Sequence, residues 1–110
     1  MEEKDVIQAL SALAQPVRLR VFRALVGAGP AGAIPSSLGD ELGVPASSLS
    51  FHLKELLHAG LVSQERDGRR LIYRADFERM NGVMGYLTAH CCQGTPCDAV
   101  APAPAAPACC

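Results

Sequence analysis

GVPASSLSFHLKELLHAGLV, residues 43–62, reads as a tight turn followed by one strong helix. Leu49, Leu53, Leu56 and Leu57 recur at i, i+4, i+7 and i+8, which gathers them on one stripe of a helix running from about Ala46 to Ala59. Such a stripe faces a core. The other side of the same wheel carries Ser47, Phe51, Lys54 and His58, with Ser50 on its flank, so the outward surface offers hydroxyls, an aromatic ring and a cation but no carboxylate. Just upstream, Leu38 and Leu42 form a shorter pair in PSSLGDEL, closed by Gly43 and separated from the next helix only by Val44 and Pro45. Gly ends helices and Pro opens them. Two helices joined so tightly, the second with a Ser-rich N-terminal half, match a helix-turn-helix whose second helix enters the DNA major groove.

Downstream, residues 61–66 and 70–75 are short strand-like runs flanking Asp67-Gly68, a hairpin signal that places Arg66, Arg69 and Arg70 at the tip. Asp76 can cap a further helix, in which Phe77, Met80, Met84, Leu87 and Cys91 follow alternating spacings of three and four, like a heptad seam. A single exposed seam calls for a partner. Upstream, Val6, Ile7, Leu10 and Leu13 form one face of a short helix behind the acids Glu2, Glu3 and Asp5. A second helix opens at Pro16 with Val17, Val21, Phe22, Leu25 and Val26 on its apolar side, and Gly27, Gly29 and Pro30 are expected to stop it.

These segments together resemble the ArsR/SmtB family of winged-helix metalloregulatory repressors. The likeness is carried by Ala14-Gln15-Pro16-Val17-Arg18-Leu19-Arg20, by Ser47 to Leu57, by Ala59-Gly60-Leu61-Val62 and by the Gly68 to Tyr73 hairpin, in order and over about residues 5–90. It implies a mainly α fold with a small β-hairpin, a homodimer formed through the first and last helices, and a wing that touches phosphate or the minor groove. Three departures stand out. Residues 39–44 hold no cysteine where an arsenic-binding motif occurs in some members, the last helix has only His90 where zinc sensors have two histidines, and Ala46 replaces a residue that is often Gln.

At 110 residues with a net charge of −1, the chain is one domain of ordinary charge balance, with residues 1–93 foldable and 94–110 an Ala/Pro-rich tail poor in large apolar residues. So small a domain gains from dimerisation. Positive charge is local: Arg66, Arg69, Arg70 and Arg74 cluster around a single Asp67, and Arg18, Arg20 and Arg23 form a second group. Local basic patches suit DNA binding with a measurable salt dependence. No apolar run spans a bilayer and the acidic first residues do not resemble a signal peptide, which predicts a cytoplasmic protein away from the membrane. No nucleophile, base and orienting acid recur at useful spacing, so an enzyme is not expected.

In a reducing compartment five cysteines favour metal, metalloid or redox chemistry over disulfides. Cys91 and Cys92 are adjacent, and Cys97 follows after Gly94 and Pro96, which let the chain fold back and bring a third sulfur near the first two. Three thiolates suit a soft, thiophilic centre, and As(III) or Sb(III) accepts three sulfurs in a pyramid. Some arsenic-responsive members of the resembling family carry such a set at the end of the last helix. A zinc or cadmium site with His90 or Asp98, a redox pair and inert cysteines are the alternatives. Cys109 and Cys110 read as a dispensable end, His52 as a packing residue and His58 as solvated.

The expectation is therefore a homodimeric repressor of double-stranded operator DNA that releases it when As(III) or Sb(III) binds Cys91, Cys92 and Cys97, with no organic cofactor. Ser47, Ser48, Ser50 and Phe51 would meet base edges, and Lys54, Arg66, Arg69 and Arg70 phosphates. A thiol-based metalloid-binding protein without operator binding is the rival class.

Overall fold

The computed structural model describes residues 1–89. Five helices and one hairpin follow in the order α1 (Glu3–Leu13), α2 (Pro16–Ala28), α3 (Pro35–Leu42), α4 (Ala46–His58), β1 (Val62–Asp67), β2 (Arg70–Ala75) and α5 (Phe77–Thr88), with a single 3-10 turn at Gly29–Ala31. Mostly helical with one antiparallel hairpin, this is a winged helix-turn-helix.

Local chemistry accounts for most boundaries. Pro16 and Pro35 open α2 and α3, and the Gln15 side chain accepts the Arg18 amide at 2.8 Å. Gly43 closes α3 in the left-handed region at φ 68, and Pro45 (ψ 148) turns the chain into α4. At the end of α4, Gly60 takes φ 76, its amide donates to Leu57 O at 3.0 Å, and the Leu61 amide donates to Leu56 O at 3.0 Å. That is a Schellman ending with its apolar contact, and it aims the chain into the wing. Asp76 caps α5 by accepting the Arg79 amide at 2.9 Å, while its own amide donates to Leu61 O at 2.8 Å, so the two ends of the hairpin are tied together.

Leu25, Leu38, Leu49, Leu53, Leu56, Leu61 and Val21 are the largest fully buried side chains, and they come from α2, α3, α4 and the start of the wing. Burying each leucine contributes about 1.5–3 kcal/mol before entropy, so the α4 stripe is where the domain gains most. His52 is buried beside that stripe, as its position suggested.

Four expectations are corrected. Gly27 does not stop α2, which runs on to Ala28 because Gly29 and Pro30 supply the break. In α1 the residues facing the core are Val6, Ala9 and Ala12, while Ile7 (54% exposed) and Leu10 (40%) point outward because small residues let α1 lie close to its neighbours. The α5 seam divides: Phe77 and Met80 pack against the core with buried Val83, whereas Met84 and Leu87 are exposed. The helix also stops at Thr88, with Ala89 extended, so the described seam ends at Leu87. At the hairpin tip Asp67 pairs with Arg70, leaving Gly68 and Arg69 as the two central residues, with Gly68 (φ 67) supplying the positive φ such a turn needs.

Candidate nucleic-acid interface

The leucine stripe that anchors α4 leaves its other side in solvent. Ser47, Ser48, Ser50, Phe51 and Lys54 are all exposed, Phe51 to 55%, and none of them is acidic. An exposed phenylalanine on a helix face with Ser47, Ser48 and Ser50 offers an apolar surface of the kind that meets a thymine methyl in the major groove.

The wing carries the cations expected of it, but two of its four arginines are already engaged. Arg70 Nη2 lies 3.2 Å from Asp67 Oδ2 across the tip. Arg74 is held more firmly, with Nη1 donating to Glu65 Oε1 at 2.6 Å and Nε to Pro30 O at 2.7 Å. Arg66 and Arg69 are exposed and have no ion pair among the described residues. They are the cations most available for phosphate.

Sequence reasoning missed Ser37. This residue of α3 lines a cleft of about 250 Å³ together with Gly32, Ile34, Arg70 and Ile72, so a serine of the helix-turn-helix and an arginine of the wing border the same space. Hydroxyl and guanidinium donors are the groups that hold a DNA phosphate. Its signal was the Pro35-Ser36-Ser37 opening of the helix, but only the folded wing shows what Ser37 sits beside.

Arg18 also departs from the expected cluster. Arg20 and Arg23 are exposed, but the Arg18 side chain is only 17% exposed and lies against α4, with Nη1 3.6 Å from Glu55 Oε1 and the guanidinium carbon 6.0 Å from the Phe51 ring centroid. Phe51 in turn meets His52 edge-on at 5.6 Å. His52 Nδ1 and Arg18 Nε are buried without hydrogen-bond partners. Burial, and secondarily the Arg18 charge, hold the His52 imidazole below its usual pKa and favour the neutral ring.

Cys91, Cys92, Cys97, Cys109, Cys110 and His90 lie outside the described residues. Among the described residues no three His, Cys, Asp or Glu side chains are placed to hold a metal ion, and no helix is long and apolar enough to cross a membrane. α1 packs beside α5, and Ile7, Leu10, Met84, Tyr86 and Leu87 are large apolar side chains left exposed on the two helices.

Comparison with known proteins fits this geometry. A helix-turn-helix domain model matches residues 13–65. The transcriptional regulator YgaV of Escherichia coli is 31% identical over 78 residues, covering 71% of this chain and 77% of that protein. The transcriptional repressor SmtB of Mycobacterium tuberculosis is 40% identical over 83 residues, covering 76% of this chain but 59% of that protein. Among solved structures, an ArsR-like transcriptional regulator from Rhodococcus sp. RHA1 superposes with a TM-score of 0.69 at 28% identity, covering 76% of each chain. A possible transcriptional regulator for arsenical resistance superposes with a TM-score of 0.63 at 27% identity, covering 74% of this chain and 81% of that one.

Proposed function

The chain belongs to the ArsR/SmtB family of winged-helix transcriptional regulators, and from that premise we propose that it is a dimeric, As(III)-responsive repressor. It holds operator DNA when empty and lets go when trivalent arsenic or antimony binds Cys91, Cys92 and Cys97. The observation that carries the DNA half is the exposed outer face of α4, with Phe51 among Ser47, Ser48 and Ser50, flanked by Lys54 and by the wing cations Arg66, Arg69 and Arg70. In this reading the serines and Phe51 meet base edges and the cations meet phosphates.

For the inducer, the donor set is the support. A vicinal cysteine pair with a third cysteine five residues on offers three soft sulfurs within one short segment. Arsenous acid reacts with three thiols to give three As–S bonds and three waters, with no change of oxidation state, so no oxidant or reductant is needed. The similar solved structure of a possible transcriptional regulator for arsenical resistance supports this choice of ligand.

Position supplies the coupling. The cysteines follow α5 in the chain, and α5 (Met84, Leu87) and α1 (Ile7, Leu10), which pack against each other, carry the exposed apolar side chains best suited to a second subunit. A dimer must keep its recognition helices about one DNA turn apart, roughly 34–36 Å, to occupy two half-sites. A metalloid that draws the three sulfurs together re-angles the end of α5 and changes that spacing. Release requires only that the ligand prefer the DNA-incompetent arrangement, and a coupling of about 1–3 kcal/mol is typical. The test is the release of labelled operator by As(III) and its loss when the cysteines are replaced.

A further inference from the structure

We propose that Arg18 of α2 is a positioning residue for base recognition, holding the Phe51 ring of α4 in the orientation presented to DNA. The proposal rests on α4 being the helix that enters the groove.

Phe51 is more than half exposed, so the core does not choose its rotamer. Its ring is met from two sides, by the edge of His52 and by the Arg18 guanidinium at 6.0 Å, a separation at which a cation is attracted to a ring face. Arg18 reaches Glu55 at the same time, at 3.6 Å. Phe51 and Glu55 are four residues apart and therefore neighbours on one side of α4, so a single guanidinium from α2 braces a full turn of the recognition helix. The brace is itself anchored: Gln15 fixes the Arg18 amide at the first turn of α2, and the guanidinium stem is mostly buried. A cation so placed is not spare for phosphate. Its Nε lies buried without a partner, a cost the domain carries at this one arginine, and the Glu55 pair and Phe51 ring are what that cost sustains.

The test uses the full chain and, as probe, the duplex that the wild-type protein selects from randomised DNA, with a shuffled duplex as reference. R18M should lose about tenfold in affinity for the selected duplex. Its binding to the shuffled duplex and its salt slope should stay as in the wild type, because no phosphate contact is lost. R18K keeps the charge toward Glu55 but loses the planar fork, so it should fall between, and it carries the test if R18M does not fold. F51A should lose the same selectivity, and the R18M/F51A double variant no more than F51A alone. If R18M weakens both duplexes alike and lowers the salt slope by about one, Arg18 is a phosphate contact and the proposal falls. It falls equally if R18M keeps full selectivity. Proton NMR of the DNA-free protein separates this from failure of the DNA reading: removing the Arg18 charge should shift the Phe51 ring signals and raise the His52 titration midpoint. Unmoved signals would sink the bracing contact, whereas a wild type that selects no sequence would sink the DNA reading instead.

Discussion

Ala33 and Tyr73 exchange two backbone hydrogen bonds, Ala33 N to Tyr73 O at 2.9 Å and Tyr73 N to Ala33 O at 2.8 Å. This bridge joins the loop before α3 to the second wing strand, so backbone hydrogen bonds tie the wing to the helix-turn-helix. It also places Arg70 and Ser37 on one cleft.

The bridge depends on the glycine before it. Gly32 has φ 70, and a Cβ there would lie 2.5 Å from Tyr73 O, whereas Gly68 has φ 67 with open space around it. G68A should therefore cost only the left-handed strain, about 1 kcal/mol. G32A adds a clash with backbone and should cost about 3 kcal/mol. Urea denaturation of the two variants checks the ordering, and equal losses would mean that the bridge contributes nothing.

His52 makes stability depend on pH. Its folded pKa lies below the ordinary 6.5, so the unfolded chain binds more protons as the pH falls past that value. Stability should be constant above about pH 6.5 from this group and decline below it, each tenfold change in proton affinity being worth about 1.4 kcal/mol. H52Q should flatten that part of the profile relative to wild type. If the two proteins lose stability in parallel between neutral and mildly acid pH, the imidazole is not the group responsible.

The helices and their turns were legible because their signals are local. Gly43, Pro45 and Gly60 act within a residue or two of where they stand, and the α4 stripe of Leu49, Leu53 and Leu56 can be read from spacing alone. Relationships between distant elements were not legible. Arg18 looked like one of three surface cations, yet the packing of α2 on α4 makes it the partner of Glu55 and Phe51. Arg74 counted in sequence as one of four arginines around a single Asp67, and only the fold brings Glu65 and Pro30 to it. Ile7 and Leu10 shared a helical period with Val6, but periodicity does not say whether a face meets its own core or a second subunit. Of the candidate site, the residues assigned to DNA are exposed, and the cysteine set lies outside the described residues.

The exposed faces of α1 and α5 should close a homodimer. Because Leu10 and Met84 are 40% and 57% exposed, glutamate at either position can be solvated in the monomer without disturbing its core. L10E and M84E should fold and sediment as monomers at micromolar concentration while the wild type is a dimer, and both should bind operator more weakly through loss of the second half-site. Dimers that persist in both variants would place the interface elsewhere.

Wing cations should be separable by their ion pairs. R66A and R69A each remove a cation with no partner among the described residues, so each should reduce the log–log salt slope of operator binding by about one. R70A also unmasks Asp67 at the tip and should weaken binding beyond the loss of one contact. Unchanged slopes in R66A and R69A would remove the wing from the interface.

The most direct measurement of the central claim is fluorescence anisotropy of labelled operator as As(III) is added. Wild type should release the duplex. C91S, C92S and C97S should bind it as tightly as wild type yet hold on, because two sulfurs retain the ion poorly. Removal of Cys109 and Cys110 should leave release intact. If all three single variants still let go at the wild-type concentration of As(III), the three-cysteine sensor is contradicted.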